Sequence, residues 1–168
     1  MYLRSLELKD APLMYEWMRD VDIVENMKAD FGSKRIEDCF NFINAANCDK
    51  YNMHFALADD DDEYLGTVSL KHIKKNTAEL GIVVRRKAIG KGYATKAMRK
   101  VIAYGYEHGI NLIYWCVDPA NKRAIRFYDK NGYTRATLDK ILSLEAPQDN
   151  YSSKELSSYV WYLITKDE

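Results

Sequence analysis

A chain of 168 residues has the size of one compact domain, and 47% apolar residues can build a core, which excludes a disordered protein. Its 25 basic side chains balance 25 acidic ones, so the electrostatic footprint of a nucleic-acid binder is missing and no nucleic-acid partner is expected. Cys39, Cys48 and Cys116 are an odd number without CxxC spacing, which suits reduced thiols better than a disulfide framework, and Cys116 lies in an apolar run expected in the core.

The opening MYLRSLELKD alternates polar and apolar residues and lacks the apolar core of a signal peptide. No stretch approaches the roughly 20 apolar residues of a membrane span. A cytoplasmic protein without a membrane partner is expected, with residues 1–168 forming one domain.

Residues 1–8 read as a strand, and Asp10 with Pro12 opens a helix whose Met14, Trp17, Met18 and Val21 follow helical spacing. After an irregular connection over 22–32, Ser33 is the expected cap of a second helix with a stripe of Ile36, Cys39, Phe40 and Ile43. Residues 51–58, 64–74 and 77–84 read as a three-strand meander, turning at the acidic run 59–63 and at Asn76. The acidic run lacks the spaced ligands and glycine of a calcium loop and is expected to be a solvated tip.

Residues 93–108 form a strongly periodic helix ended by Gly109, with His108 a favourable cation near its C-terminus. A buried strand over 111–117 follows, then a helix over 121–131, a further strand from Gly132 and Tyr133, a long loop over 139–156 and a last strand over 158–165. This order predicts a mixed α/β fold, with a central sheet of about seven strands and helices on both faces.

The densest chemical signal is Val83-Val84-Arg85-Arg86-Lys87-Ala88-Ile89-Gly90-Lys91-Gly92-Tyr93-Ala94, a strand passing through a basic loop with two glycines into a helix. The first amides of a helix lack internal partners and sit at the positive end of its dipole, so such a turn suits a phosphate. Gly90 and Gly92 let the backbone approach closely, and Arg85, Arg86, Lys87 and Lys91 add positive charge. A P-loop would need glycine where Arg85 stands, and a dinucleotide GxGxxG would need glycine where Thr95 stands.

About thirty residues later comes NKRAIRFYDKNGY, Asn121 to Tyr133. The pair IGKGYA and NKRAIRFYDKNGY, each on a helix preceded by a strand, resembles the GNAT superfamily of N-acetyltransferases, and the order of strands and helices matches from end to end. The fragments GTVSL, AELGI and IGKGYATKAM resemble the branch containing the ribosomal-protein N-terminal acetyltransferases, whose relatives also modify polyamines, aminoglycosides and amino sugars.

The resemblance implies acetyl-CoA as co-substrate and a sheet splayed between its fourth and fifth strands. Ile82, Val83 and Val84 would pair with the pantetheine arm, and a backbone amide near Ile82 or Val83 would bond the acetyl carbonyl. Ile89, Gly90, Lys91, Gly92, Tyr93, Ala94 and Thr95 would hold the pyrophosphate, and Asn121, Ala124 and Tyr128 would complete the coenzyme site. Ile89 departs from the usual Arg or Gln, so that side-chain contribution is lost. Tyr128 matches the tyrosine that protonates the departing thiolate, and Glu79, beside the coenzyme arm, is the best candidate to deprotonate the amine. His54, His72 and Asp118 are weaker candidates. No metal is expected, because the histidines and cysteines never approach ligand spacing.

The acceptor would be a small-molecule amine or a protein N-terminus. Trp17, Asp22, Glu25, Asp30, Phe31 and the loop 139–151 are pocket candidates, since acidic and aromatic groups suit a cation. A non-catalytic acetyl-CoA-binding regulatory or sensing module is the alternative, which retention of Tyr128 disfavours. The last strand could lie inside the sheet or pair across a dimer, so a monomer or a homodimer is expected.

Overall fold

The computed structural model describes residues 1–166. Among them one mixed sheet runs in chain order: β1 (Tyr2–Ser5), β2 (Met53–Ala58), β3 (Tyr64–Lys74), β4 (Thr77–Val84), β5 (Leu112–Val117) and β6 (Val160–Thr165). Neighbours are antiparallel except β4 and β5. A parallel pair needs a crossover, and the amphipathic helix α4 (Tyr93–Glu107) supplies it.

The period of two along each strand divides the sheet into two faces. Val68 and Leu70 of β3, Ala78 and Leu80 of β4, and Ile113, Trp115 and Val117 of β5 pack against α4 and against Tyr128 of α5 (Lys122–Lys130). The opposite face is covered by two separate groups of helices. Over β2 and β3, α1 (Ala11–Met18), α2 (Val21–Val24) and α3 (Ile36–Ala46) bury Trp17, Met18, Ile23, Cys39 and Ile43 against Ala56 and Tyr64. Over β5 and β6, Ile141, Ala146 and Leu156 pack on Tyr114 and Trp161. Between the two groups the floor of β3 and β4 stays open as a trough.

Three expectations are corrected. The strand from Gly132 and Tyr133 shrinks to one bridge, Arg135 with Tyr162, flanked by Ala136 N–H donating to Trp161 O at 2.9 Å. Tyr133 turns its ring onto Trp115, and Thr137 starts a helix two residues past the bridge, so the segment is too short to extend the sheet. The sheet therefore has six strands, close to the expected seven.

The expected loop over 139–156 holds three short helices: α6 (Leu138–Leu142), α7 (Glu145–Asn150) and α8 (Ser153–Ser158). Thr137 and Ser152 each restart the helix by capping, so no apolar stripe runs long enough to read as a period. Ser33 does not cap α3; Asp38 accepts the Arg35 N–H at 2.7 Å and sets the start two residues later.

Gly66 fixes the distance between β3 and β4, since a Cβ there would lie 2.2 Å from Val83 O. Gly66→Ala is therefore expected to cost about 1–3 kcal/mol, read as a lower denaturation midpoint. An unchanged midpoint would mean that the strands have room to separate.

Candidate active site

β4 and β5 pair only at Thr77↔Leu112, Ala78↔Ile113 and Glu79↔Tyr114. Beyond that point each strand stays with its antiparallel partner, β4 with β3 as far as Gly66↔Val84 and β5 with β6 as far as Val117↔Val160. Strands that follow different partners twist apart. The slot between them joins the trough, giving one cleft of about 720 Å³.

The slot end is lined by Ile82 and Val83 on one side and by Val117, Asn121, Ala124 and Tyr128 on the other. Tyr128 is 7% exposed, and burial raises its phenol further above the ordinary value, so it stays protonated. Its hydroxyl has no hydrogen-bond partner among the described residues. Asn121 caps α5, its Oδ1 accepting the Ala124 N–H at 3.0 Å. Val84 turns its side chain away, into a small cluster with Leu57, Leu65 and Ala88.

In the turn that joins β4 to α4, Gly90 and Gly92 have φ of +78° and +76°, and a Cβ at either would meet nothing within 4 Å. Gly92 caps α4, and the first turn closes with Lys96 N–H on Gly92 O. Among the described residues, no amide from Gly90 to Thr95 donates to an acceptor. Six consecutive free N–H groups and a helix dipole make a cradle for an anion.

The positive charge of this loop is largely spent inside the protein, which corrects the reading of the basic run. Arg85, 6% exposed, binds Glu16 at 2.8 Å, Glu63 at 2.6 Å and Tyr64 O at 2.9 Å. Arg86 pairs with Asp20 and Asp22, and Lys87 with Glu63. Lys91 alone of the four is unpaired among the described residues. Ile89 packs toward the α1 and α3 cluster, a role a charged residue would not fill.

Glu79, which could have been a solvent-facing carboxylate, is 3% exposed at the apex of the splay. Its Oε1 accepts Lys71 Nζ at 2.8 Å and Tyr151 OH at 2.9 Å, and its Oε2 meets His72 Nδ1 at 3.1 Å. Burial alone would raise its pKa, but the His72 hydrogen bond and the Lys71 charge outweigh it and hold the carboxyl down to about 2. Lys71 and His72 adjoin in sequence yet reach one carboxylate because β3 bulges between Lys71 and Lys74, with His72 at φ +50°. Counting back from Lys74↔Thr77 would set His72 opposite Glu79; the extra residue puts Lys71 there. Sequence reasoning missed Lys71, for which only that hairpin count gave any signal, and it named the loop ending at Tyr151 as pocket without its bond to Glu79.

His54 lines the trough, its Nδ1 2.8 Å from Ser69 Oγ, and burial pushes its imidazole below the usual value. Asp118 lies at the β5 end of the cleft and accepts the Ala120 N–H. His108 closes α4, with Nδ1 2.7 Å from Tyr104 O. Cys116 is half-buried on the cleft wall instead of in the core, and burial pushes its thiol up to about 12. Trp17, Phe31 and Tyr151 line the trough as expected, whereas Asp22, Glu25 and Asp30 are not among its walls. No group of three or more His, Cys, Asp or Glu among the described residues is arranged to hold a metal.

Residues 1–134 match the model of the acetyltransferase (GNAT) domain. The chain belongs to the GNAT acetyltransferase family. The uncharacterized N-acetyltransferase p20 of Bacillus licheniformis is 27% identical over 144 residues, covering 81% of this chain and 80% of that protein. The uncharacterized N-acetyltransferase YnaD of Bacillus subtilis is 27% identical over 135 residues, covering 79% and 78%. Among solved structures, a GNAT acetyltransferase from Bacillus anthracis gives a TM-score of 0.77 at 24% identity, covering 99% of this chain and 95% of that one. The spermidine N-acetyltransferase of Vibrio cholerae with CoA and spermine gives 0.77 at 18%, with the same coverage. The chain is thus an N-acetyltransferase of the GNAT fold, and no helix among its described residues is long and apolar enough to cross a membrane.

The depressed pKa of Glu79 ties this GNAT site to folding. A carboxyl held near 2, against an ordinary value of 4.5, stabilises the fold above the higher value, and that contribution is lost as pH falls toward the lower. The stability gap between the parent protein and Glu79→Gln should therefore be full near neutrality and narrow as pH drops from about 4.5 toward about 2. Chemical denaturation across that range reads it, and a pH-independent gap would mean that Glu79 is not held ionised by its partners.

Proposed function

We propose that this chain transfers an acetyl group from acetyl-CoA directly to a primary amine, with both substrates bound in the cleft at once. The observation carrying this reading is the set of six unpaired amides from Gly90 to Thr95 in the turn that joins β4 to α4, together with a slot lined by β4 residues and by Tyr128, whose hydroxyl is free. The residues fit the coenzyme: the open, positive-φ glycines leave room for a pyrophosphate, and the β4 edge beyond Glu79 offers unpaired backbone to an extended arm. Lys91 is the cation free to face the phosphates. When bound, acetyl-CoA supplies the activated acyl group and the thiol leaving group.

In this reading Ile82, Val83 and Val84 hold the arm along β4, and a backbone amide near Ile82 or Val83 polarises the acetyl carbonyl. Tyr128, kept protonated by burial, hands its proton to the departing thiolate. Glu79, a weak base while its partners hold it down, is the candidate to pass on the amine's proton, directly or through His72, whose Nδ1 it holds. Cys116 is a poor nucleophile because burial keeps its thiol protonated, which favours direct attack over an acyl-cysteine. The ribosomal-protein branch resemblance supports an N-terminal amine as acceptor, and the spermidine acetyltransferases of the same fold support a free amine; both are primary amines.

Thermal melting with acetyl-CoA, CoA and ATP tests the reading, with stabilisation expected from the first two only. Stabilisation by ATP alone would overturn it. Tyr128→Phe should lower turnover by about 100-fold while leaving coenzyme affinity nearly unchanged; parent-like turnover would remove its role as acid. Gly92→Asp, which forces a carboxylate onto the cradle in a left-handed position, should weaken acetyl-CoA binding, measured by calorimetry.

A further inference from the structure

The trough side of the cleft has a chemistry of its own, set by what its walls carry and how each charge is spent. Met14, Trp17 and Met18 of α1, with Met27 and Phe31 of the connection to α3, make one wall apolar. Trp17 and Phe31 stack edge to face with centroids 5.0 Å apart, and Phe42 sets its ring against His54 at 4.9 Å. Such a surface of aromatic faces and pliable thioethers accepts flat apolar bodies of varied outline.

The charged groups lining the cleft are Lys28, Lys71, His72 and Glu79, each engaged within the protein, and Asp118 at the β5 end, which accepts only the Ala120 N–H. Lys71 and His72 meet on Glu79. Lys28 bridges the α2 to α3 connection to the C-terminal segment: its Nζ donates to Asn150 O at 2.9 Å, pairs with Glu155 at 3.0 Å and sits 4.1 Å from the centre of the Tyr151 ring. His54, kept neutral by burial, is held by Ser69. The neighbouring acids are off its walls: Asp22 pairs with Arg86, and the exposed Asp30 and Glu25 meet only the Ser33 N–H and the Asn26 amide. A second or third ammonium entering this trough would leave water with no unpaired carboxylate on the cleft walls but Asp118 at the β5 end, which is costly for a chain carrying several charges. The one amine that reaches the Glu79 cluster has to be neutral to attack, so it needs no free carboxylate of its own.

Building on the acetyltransferase reading of this cleft, we propose that the acceptor is a primary amine bearing a single charge on an apolar, aromatic body, as in an arylalkylamine, and not a polyamine. The spermidine acetyltransferases share the fold at 18% identity, and fold alone does not carry their acceptor over.

The test is thiol release by the full chain with acetyl-CoA against 2-phenylethylamine, tryptamine, spermidine, spermine, an aminoglycoside and a peptide beginning with Phe, beside melting with acetyl-CoA alone. The expected result is a kcat/KM for the arylalkylamines about 100-fold above that for spermidine. The peptide arm tells whether the apolar amine comes from a small molecule or a protein N-terminus. Met27→Glu, which adds an unpaired carboxylate to the wall, should narrow the ratio by about tenfold with unchanged melting by acetyl-CoA. Stabilisation by acetyl-CoA with spermidine or the aminoglycoside as the best acceptor, or with no turnover of any amine, would overturn the acceptor assignment while leaving the coenzyme site standing. No stabilisation and no thiol release would instead sink the acetyltransferase reading itself.

Discussion

The parallel pairing of β4 with β5 stops after Glu79 and Tyr114, and the shape of the site follows from that early stop. β4 is tied to β3 by a long antiparallel ladder, and Gly66 lets the two approach so closely that no side chain fits between them. β5 is tied as firmly to β6. Two strands anchored to different partners cannot both keep their mutual register as the sheet twists, so their facing edges separate inside the protein. Backbone groups left in such a place need a partner from water or ligand, which makes the slot a binding element in itself.

Charge plays a structural part around this slot. Arg85 ties α1, the start of β3 and the end of β4 together through Glu16, Glu63 and Tyr64 O, and so fixes where the glycine turn emerges. Once those pairs are made, little side-chain charge remains at the turn beyond Lys91, and the proposed pyrophosphate contact rests on the free amides of the α4 N-terminus. Glu79 plays the corresponding part at the apex, where a buried carboxylate is tolerable only because Lys71, His72 and Tyr151 surround it. The bulge at His72 is what brings two consecutive side chains of β3 to that one group.

The trough arises from a division of labour among helices. α1 to α3 cover β2 and the start of β3, α6 to α8 cover β5 and β6, and the floor between them is left to polar residues such as Thr67, Ser69 and Lys71 of β3 and Glu79 of β4. Lys28 spans the gap to Asn150 and Glu155, joining parts of the chain more than a hundred residues apart.

The sequence by itself determined the sheet strands that alternate or run apolar, the helix α4 with its stripe, and the glycine turn between β4 and α4, because each of these is written in local period and local backbone need. It also placed Tyr128 and Glu79 on elements that the fold brings to one cleft. Tertiary structure alone decided which charges are spent and which are free: nothing local to RRK tells that Arg85 turns inward or that Arg86 meets Asp20. It alone decided the bulge at His72, the loss of a seventh strand, and the three short helices where caps at Thr137 and Ser152 interrupt any readable period. The reason is the same in each case: these features are set by partners distant in sequence, and a short-range pattern holds no record of them.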